Sequence, residues 1–276
     1  MRYGAAEAAP LQKPLGLKAE HFKPLKSEAG PRRYTMVDIH THILPGIDDG
    51  SKSWEMTAEM CRIAITDGIT HMVATPHSND VYTYNRDRFT DMLGQLHDSA
   101  DGQLAFSIGC DFHFSRENIN DALDHPRRYT IGDTKYLLIE FHDRGIPASV
   151  KNDILSLLSC GMVPIITHPE RNQPLLKQPE MVLDLVEQGC LVQVTANAIT
   201  GSWGMKSKKM ADWLLQRRAI HVIASDAHDP VNRRPVMSEA RAAVAETAGA
   251  NVADALVRLN PEAIVDGRPL PYWPRG

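Results

Sequence analysis

Seven short runs rich in β-branched residues alternate with longer amphipathic stretches, and no other feature narrows the fold as much. The runs are MVDIHTH (36–42), HMVATPH (71–77), LAFSIGCDF (104–112), YLLIEF (136–141), MVPIITH (162–168), LVQVTA (191–196) and HVIASDAH (221–228). Helical periods cover 52–66, 86–99, 148–159, 179–188 and 204–217, then 234–247 and 252–259, with a weaker stretch at 115–124. Strands separated by helices of this length form parallel βα units. Runs that are apolar throughout fit a sheet covered on both faces. The pattern predicts an α/β fold, a closed barrel of the TIM type with one unit fewer than eight. An open doubly wound sheet is the alternative.

Residues 1–35 stand apart, with Pro10, Pro14, Pro24 and Pro31 and no sustained period. They read as a flexible extension before a domain spanning 36–276. Met36 directly precedes the first strand and is a candidate natural start. The extension carries charges throughout and lacks the apolar core of a secretory signal. No stretch approaches a membrane span. A net charge of −4 leaves no footprint for broad nucleic-acid binding. Cys61, Cys110, Cys160 and Cys190 are scattered without a CxxC pair, so a reducing, cytoplasmic setting is the simplest reading.

The chemistry lies at the strand ends. The first run ends in His40 and His42, the second in His77, the third in Asp111 and His113. The fourth ends near Glu140, the fifth in His168, the seventh in Asp226 and His228. In a parallel barrel these ends meet at one face, where active sites form. His40 and His42 are two apart and share one side of their strand, as do Asp226 and His228. Asp49 arrives on the turn-rich loop PGIDDG. Its neighbour Asp48 reads as a cap for the helix beginning near Lys52. His113 and His142 read as structural, and His21, His71, His97, His125 and His221 receive no role. One histidine at a strand end is ordinarily a hydrogen-bonded rim residue, but five or six strands sharing the habit is not chance.

Five histidines and four carboxylates without cysteine make a hard-to-borderline site for Mn, Fe or Zn. That number exceeds one coordination sphere, so two or three ions are implied. Their charge would outweigh the carboxylates and favour an anionic substrate such as a phosphate ester. Arg171, in THPERN, and Arg233, in DAHDPVNRRP, lie close enough in sequence to bind it, since a guanidinium matches phosphate oxygens in pairs.

Together, DIHTHILPGIDDG, ATPH, LIEF, THPER, QVTA and ASDAH resemble the bacterial metal-dependent protein-tyrosine phosphatases of the polymerase-and-histidinol-phosphatase (PHP) superfamily. The resemblance spans roughly residues 36–265. It implies a distorted (β/α)7 barrel with a trinuclear centre, commonly manganese. The implied ligands are His40, His42, Asp49, His77, Asp111, Glu140, His168, Asp226 and His228, with Arg171 and Arg233 contacting phosphate. The implied reaction is attack on phosphorus by metal-activated water. The implied partner is a tyrosine-phosphorylated kinase of capsule or exopolysaccharide biosynthesis. The family often has Glu where this chain has Asp111, one methylene shorter. A bridging carboxylate there would need a closer backbone.

Other readings remain open on sequence alone. They are a small-molecule phosphatase acting on a substrate such as histidinol phosphate, a PHP nuclease or phosphoesterase, and a metal-loaded regulatory binder without turnover. Cys110 and Arg116 have the CX5R spacing of cysteine-dependent tyrosine phosphatases. The intervening residues include Asp111 and no glycine, which suits neither a thiolate nor a phosphate cradle.

Overall fold

The β-branched runs form strands because their side chains pack on a pleated surface, and each becomes parallel with its neighbours. The computed structural model describes residues 35–100, 102–143 and 145–274. The expected extension lies outside the described residues except for Thr35. The strands are β1 (Met36–Thr41), β2 (Ile69–Ala74), β3 (His77–Ser78), β4 (Ala105–Ile108), β5 (Asp111–His113), β6 (Tyr136–Glu140), β7 (Val163–Thr167), β8 (Leu191–Thr195) and β9 (Val222–Ala224).

Seven expected strands thus appear as nine segments. Pro76 cannot donate to a ladder and separates β2 from β3. Gly109 and Cys110 separate β4 from β5. There the backbone passes so close to its neighbours that a Cβ on Gly109 would lie 3.1 Å from Ile131 and 3.3 Å from Thr75 and Val73.

Hydrogen bonding runs β1-β2-β4 in one sheet and β3-β5-β6-β7-β8-β9 in the other, all parallel. The two sheets are successive parts of one wall, since β2 leads into β3 and β4 into β5. The wall closes where Thr41 pairs with Ala227. Two further backbone bonds seal the seam: Asp226 N–H to the His40 carbonyl at 3.0 Å and His42 N–H to the Ala227 carbonyl at 2.8 Å. The result is the expected seven-unit barrel rather than an open sheet.

Alternation along the strands divides the core in two. Val37, Ile39, Leu138, Ile165, Leu191 and Val222 gather in one buried cluster. Leu137, Ile139, Ile166, Val192 and Ile223 join the larger cluster with helix residues such as Leu157, Leu185 and Leu214. The first group fills the barrel and the second packs it against its helices. Most helices fall within two or three residues of their expected bounds, including Arg116–Asp124. Three were missed. Gln173–Lys177 and Ala196–Thr200 are five-residue helices, too short to show a period. Asn260–Val265 continues from a π-helical turn at Ala255–Leu259 and carries Pro261 at a tolerated early position.

The last part of the wrapping is tied to the first helix, Trp54–Asp67. Helix Ser238–Ala248 has no side-chain cap of its own. Asp67 supplies one, accepting from the backbone of Met237 (2.7 Å) and Ser238 (2.9 Å) and from the Ser238 hydroxyl (2.6 Å). Asp67→Ala will strand three buried or half-buried donors and lower stability by about 2 kcal/mol. Urea denaturation checks this, and a variant as stable as the parent refutes the tie.

Candidate metal centre

Every expected ligand lies at the mouth formed by the carboxyl ends of the strands. His40 is on β1, and His42 lies one residue past it. His77 opens β3 and Asp111 opens β5, so these two begin short segments instead of ending long ones. Glu140 ends β6. His168 follows β7, and Asp226 and His228 follow β9, which is shorter than expected. The loop bearing Asp49 folds back on β1 through Gly50, where a Cβ would lie 2.2 Å from the His42 carbonyl oxygen.

The ligand atoms fall into four overlapping groups, each within 4.8 Å: His42, Asp49, His77 and His228; His40, Asp111 and His168; His40, His42 and Asp226; His77, Asp111 and Glu140. All nine expected residues belong, and shared members weld the groups into one cluster. His77 Nδ1 and both Asp111 oxygens are buried without hydrogen-bond partners. Buried polar atoms are rarely left so, and cation ligation accounts for them. Asp111 Oδ2 lies 3.5 Å from His40 Nε2 and 3.2 Å from His77 Nδ1, between two groups.

The histidines are aimed by their second nitrogens. His40 Nδ1–H donates to Gln193 Oε1 (2.9 Å) and His42 Nδ1–H to Asp48 Oδ2 (2.8 Å). His228 Nδ1–H donates to the Asp226 carbonyl (3.0 Å). Each bond fixes the tautomer that leaves Nε2 with a lone pair facing the cluster. Asp48 is therefore no helix cap. Ser53 caps that helix, accepting from Met56 N–H, while buried Asp48 holds His42 and accepts from Gly50 N–H at 2.9 Å.

Gln193 was also missed. A glutamine inside the apolar run LVQVTA was the available signal. His168 and Asp226 have φ of 31° and 54°, a left-handed conformation that branched-backbone sterics disfavour. Strain of this kind gathers at functional sites.

Charge reinforces the picture. Burial alone would raise the Asp226 carboxyl, but His40, Arg171 and neighbours hold it well below the usual range. Burial opposes protonation of His40, yet Asp111 and Asp226 push it up to about 9. His77 rises against burial to about 11 through Asp111 and Asp49. Burial, then Arg171, lowers His168 to about 3, and burial, then His42, lowers His228 to about 4. Glu140 is raised to about 7 by burial and by Asp111.

Arg171 and Arg233 both pair with Asp226 Oδ2, the latter at 2.5 Å. They approach from the loops after β7 and β9. His113 and His142 pack on each other, ring centres 5.2 Å apart, and belong to no ligand group among the described residues. Cys110 is fully buried, its thiol pushed well above the usual value by burial and then by Asp111. Arg116 is exposed at the start of a helix, so the CX5R spacing builds no phosphate loop.

Such a mouth defines a class: a β/α barrel built round a cluster of divalent-cation ligands. Within that class the chain belongs to the CpsB/CapC family of capsular polysaccharide synthesis, whose model matches residues 36–266. It is similar to tyrosine-protein phosphatase YwqE of Bacillus subtilis (strain 168), 34% identical over 202 residues, 72% of this chain and 79% of that one. Tyrosine-protein phosphatase CpsB of Streptococcus pneumoniae is 28% identical over 239 residues, 83% of this chain and 98% of that one. A crystal structure from work on YwqE and CpsB as metal-dependent tyrosine phosphatases aligns with a TM-score of 0.79 and 30% identity, covering 85% of this chain and 96% of that one. Histidinol phosphate phosphatase of Lactococcus lactis shares the fold at a TM-score of 0.51 and 12% identity, covering 78% of this chain and 94% of that one.

At pH 7 the cation-free cluster carries protons on His40 and His77, and cations must displace them. Calorimetry in buffers of different ionisation enthalpy will read a net release of protons on loading. The His40 contacts stabilise the cation-free fold fully below its unfolded value of 6.5 and lose that effect as pH rises through about 9. Cation affinity therefore climbs over that window, and an affinity flat in pH would refute the assignment. Asp48→Ala will weaken cation binding by about 10–100-fold.

Proposed function

We propose that the protein is a metal-dependent protein-tyrosine phosphatase. The observation that carries this is the convergence of two guanidiniums on Asp226, a carboxylate that is itself part of the cation-ligand cluster. Family membership and the names of the relatives give the phosphoryl group its carrier, a tyrosine side chain in a protein. The ions are two or three in number, manganese first, with iron or zinc as substitutes. The histidines and carboxylates of the four groups hold them. Bound there, they supply Lewis-acid activation of water and neutralise phosphoryl charge.

The chain's own side chains do the rest. Arg171 and Arg233 take the equatorial phosphoryl oxygens and stabilise the charge that develops there. Gln193 and Asp48 keep His40 and His42 in the ligating tautomer. A tyrosyl leaving group has a pKa near ~10, so it departs without a strong general acid. The substrate is a tyrosine-phosphorylated protein, a kinase that controls polysaccharide export, and the setting is cytoplasmic. No helix among the described residues is long and apolar enough to cross a membrane.

The test is turnover by metal-reconstituted protein on a phosphotyrosine peptide, histidinol phosphate and a nuclease substrate in parallel. The peptide will be preferred, and preference for histidinol phosphate would overturn the reading. Chelation will abolish activity, whereas Cys110→Ser will leave it within about twofold, because a buried high-pKa thiol is no nucleophile. Arg233→Ala will lower kcat/KM by about 100-fold. Loss of activity in Cys110→Ser with resistance to chelation would reverse the mechanism.

A further inference from the structure

Two like-charged guanidiniums sharing one carboxylate oxygen repel each other. Asp226 is also a member of the cation-ligand cluster, so it is a divided anchor. Something else must keep the arginines together, and a third loop provides it. Trp203 lies in the turn between the helices Ala196–Thr200 and Met205–Gln216, beyond β8. The Arg171 guanidinium carbon is 4.5 Å from the centre of its indole, and that of Arg233 is 5.4 Å away. Both distances fall within cation–π range. The turn is pinned by Trp203 N–H donating to the Asn197 carbonyl at 3.2 Å.

The ring has no polar anchor of its own, because its Nε1–H is buried without a partner. Its position is set by packing and by the two cations. Trp203 also lines both cavities at this side of the mouth. One, of about 420 Å³, contains Arg233, and the other, of about 370 Å³, contains Arg171. The indole is thus shared by the two cavities, and the arginine of each pairs with Asp226.

We propose that Trp203 is the positioning residue of the arginine pair, its indole face holding both guanidiniums at the spacing that receives one phosphoryl group. This rests on the phosphatase reading above. A substrate phosphate can then draw on two donors that are already gathered, instead of gathering them at a cost in entropy and repulsion.

The test compares Trp203→Leu with Trp203→Phe in the full-length, metal-loaded protein. Trp203→Leu will raise both KM for a phosphotyrosine peptide and the inhibition constant of inorganic phosphate by about tenfold. Its metal content and melting temperature will stay near the parent's. Trp203→Phe keeps an aromatic face and will recover most of the loss. In an Arg171→Ala, Arg233→Ala background, Trp203→Leu will add nothing. A readout independent of turnover is tryptophan emission: inorganic phosphate will change it in the parent but not in Trp203→Phe, although three other tryptophans remain. The proposal fails if Trp203→Leu leaves the phosphate inhibition constant unchanged. It fails equally if Trp203→Phe is as impaired as Trp203→Leu, which would give the role to Nε1–H. A parent inactive on phosphotyrosine would defeat the phosphatase reading alone, and the emission titration would still decide the role of Trp203.

Discussion

Barrel closure and ligand placement are one event in this protein. The seam between β1 and the segment after β9 is made by the backbones of His40, His42, Asp226 and Ala227. Three of these four residues also carry ligand side chains. Beneath them, the Asp38 carboxylate accepts from Ser225 N–H (3.0 Å) and from the Ser225 hydroxyl (2.5 Å), riveting the same two segments. The first and last units therefore cannot separate without dismantling the site. The left-handed backbone at Asp226 is held at this seam, where the surrounding hydrogen bonds over-determine it.

The cluster's electrostatics follow from that crowding. Burial opposes every charge in it, yet His40, His77, Asp111 and Asp226 lie close enough together to favour one another's ionised forms. Asp49, the exposed member, lies 3.4 Å from His228 Nε2 and 3.3 Å from His77 Nε2, and these imidazoles hold its carboxyl well below the usual range. Burial favours the neutral forms of His168 and His228 while nearby carboxylates favour the protonated forms of His40 and His77, so protons compete for positions that cations would take. Orphaned Asp111 oxygens mark where that substitution is least complete.

Periodicity exposed the barrel because a strand covered on both faces must be apolar throughout. A polar residue at the end of such a run therefore stands out, which brought the candidate positions on the strands into view, while Asp49 came from the turn-rich loop after the first run. What failed were features decided by contacts distant in sequence or by a chain reversal. Asp48 carried a local capping signal, but the loop turns back at Gly50 and delivers it to His42. Asp67 caps a helix some 170 positions away, with nothing local to show it. Gln193 and Trp203 act through neighbours on other loops and strands. Strand breaks at Pro76 and Gly109 were blurred because the apolar pattern continues across them.

Asp111 is placed by its backbone as much as by its side chain. A shorter carboxylate at this position needs its backbone nearer the cluster. The chain breaks at Gly109 and Cys110, and Asp111 restarts as a strand paired with His77. Its N–H lies 3.3 Å from the Thr75 carbonyl and 3.2 Å from that of Pro76, just ahead of His77. The same short strand pairing thus sets both residues against each other, with Asp111 Oδ2 facing His77 on one side and His40 on the other. A side chain at Gly109 would crowd Ile131, Thr75 and Val73 at the close passage that precedes this step. Glycine at that position and aspartate two residues later therefore work together, the close passage at one leading into the strand pairing that sets the carboxylate of the other against the cluster.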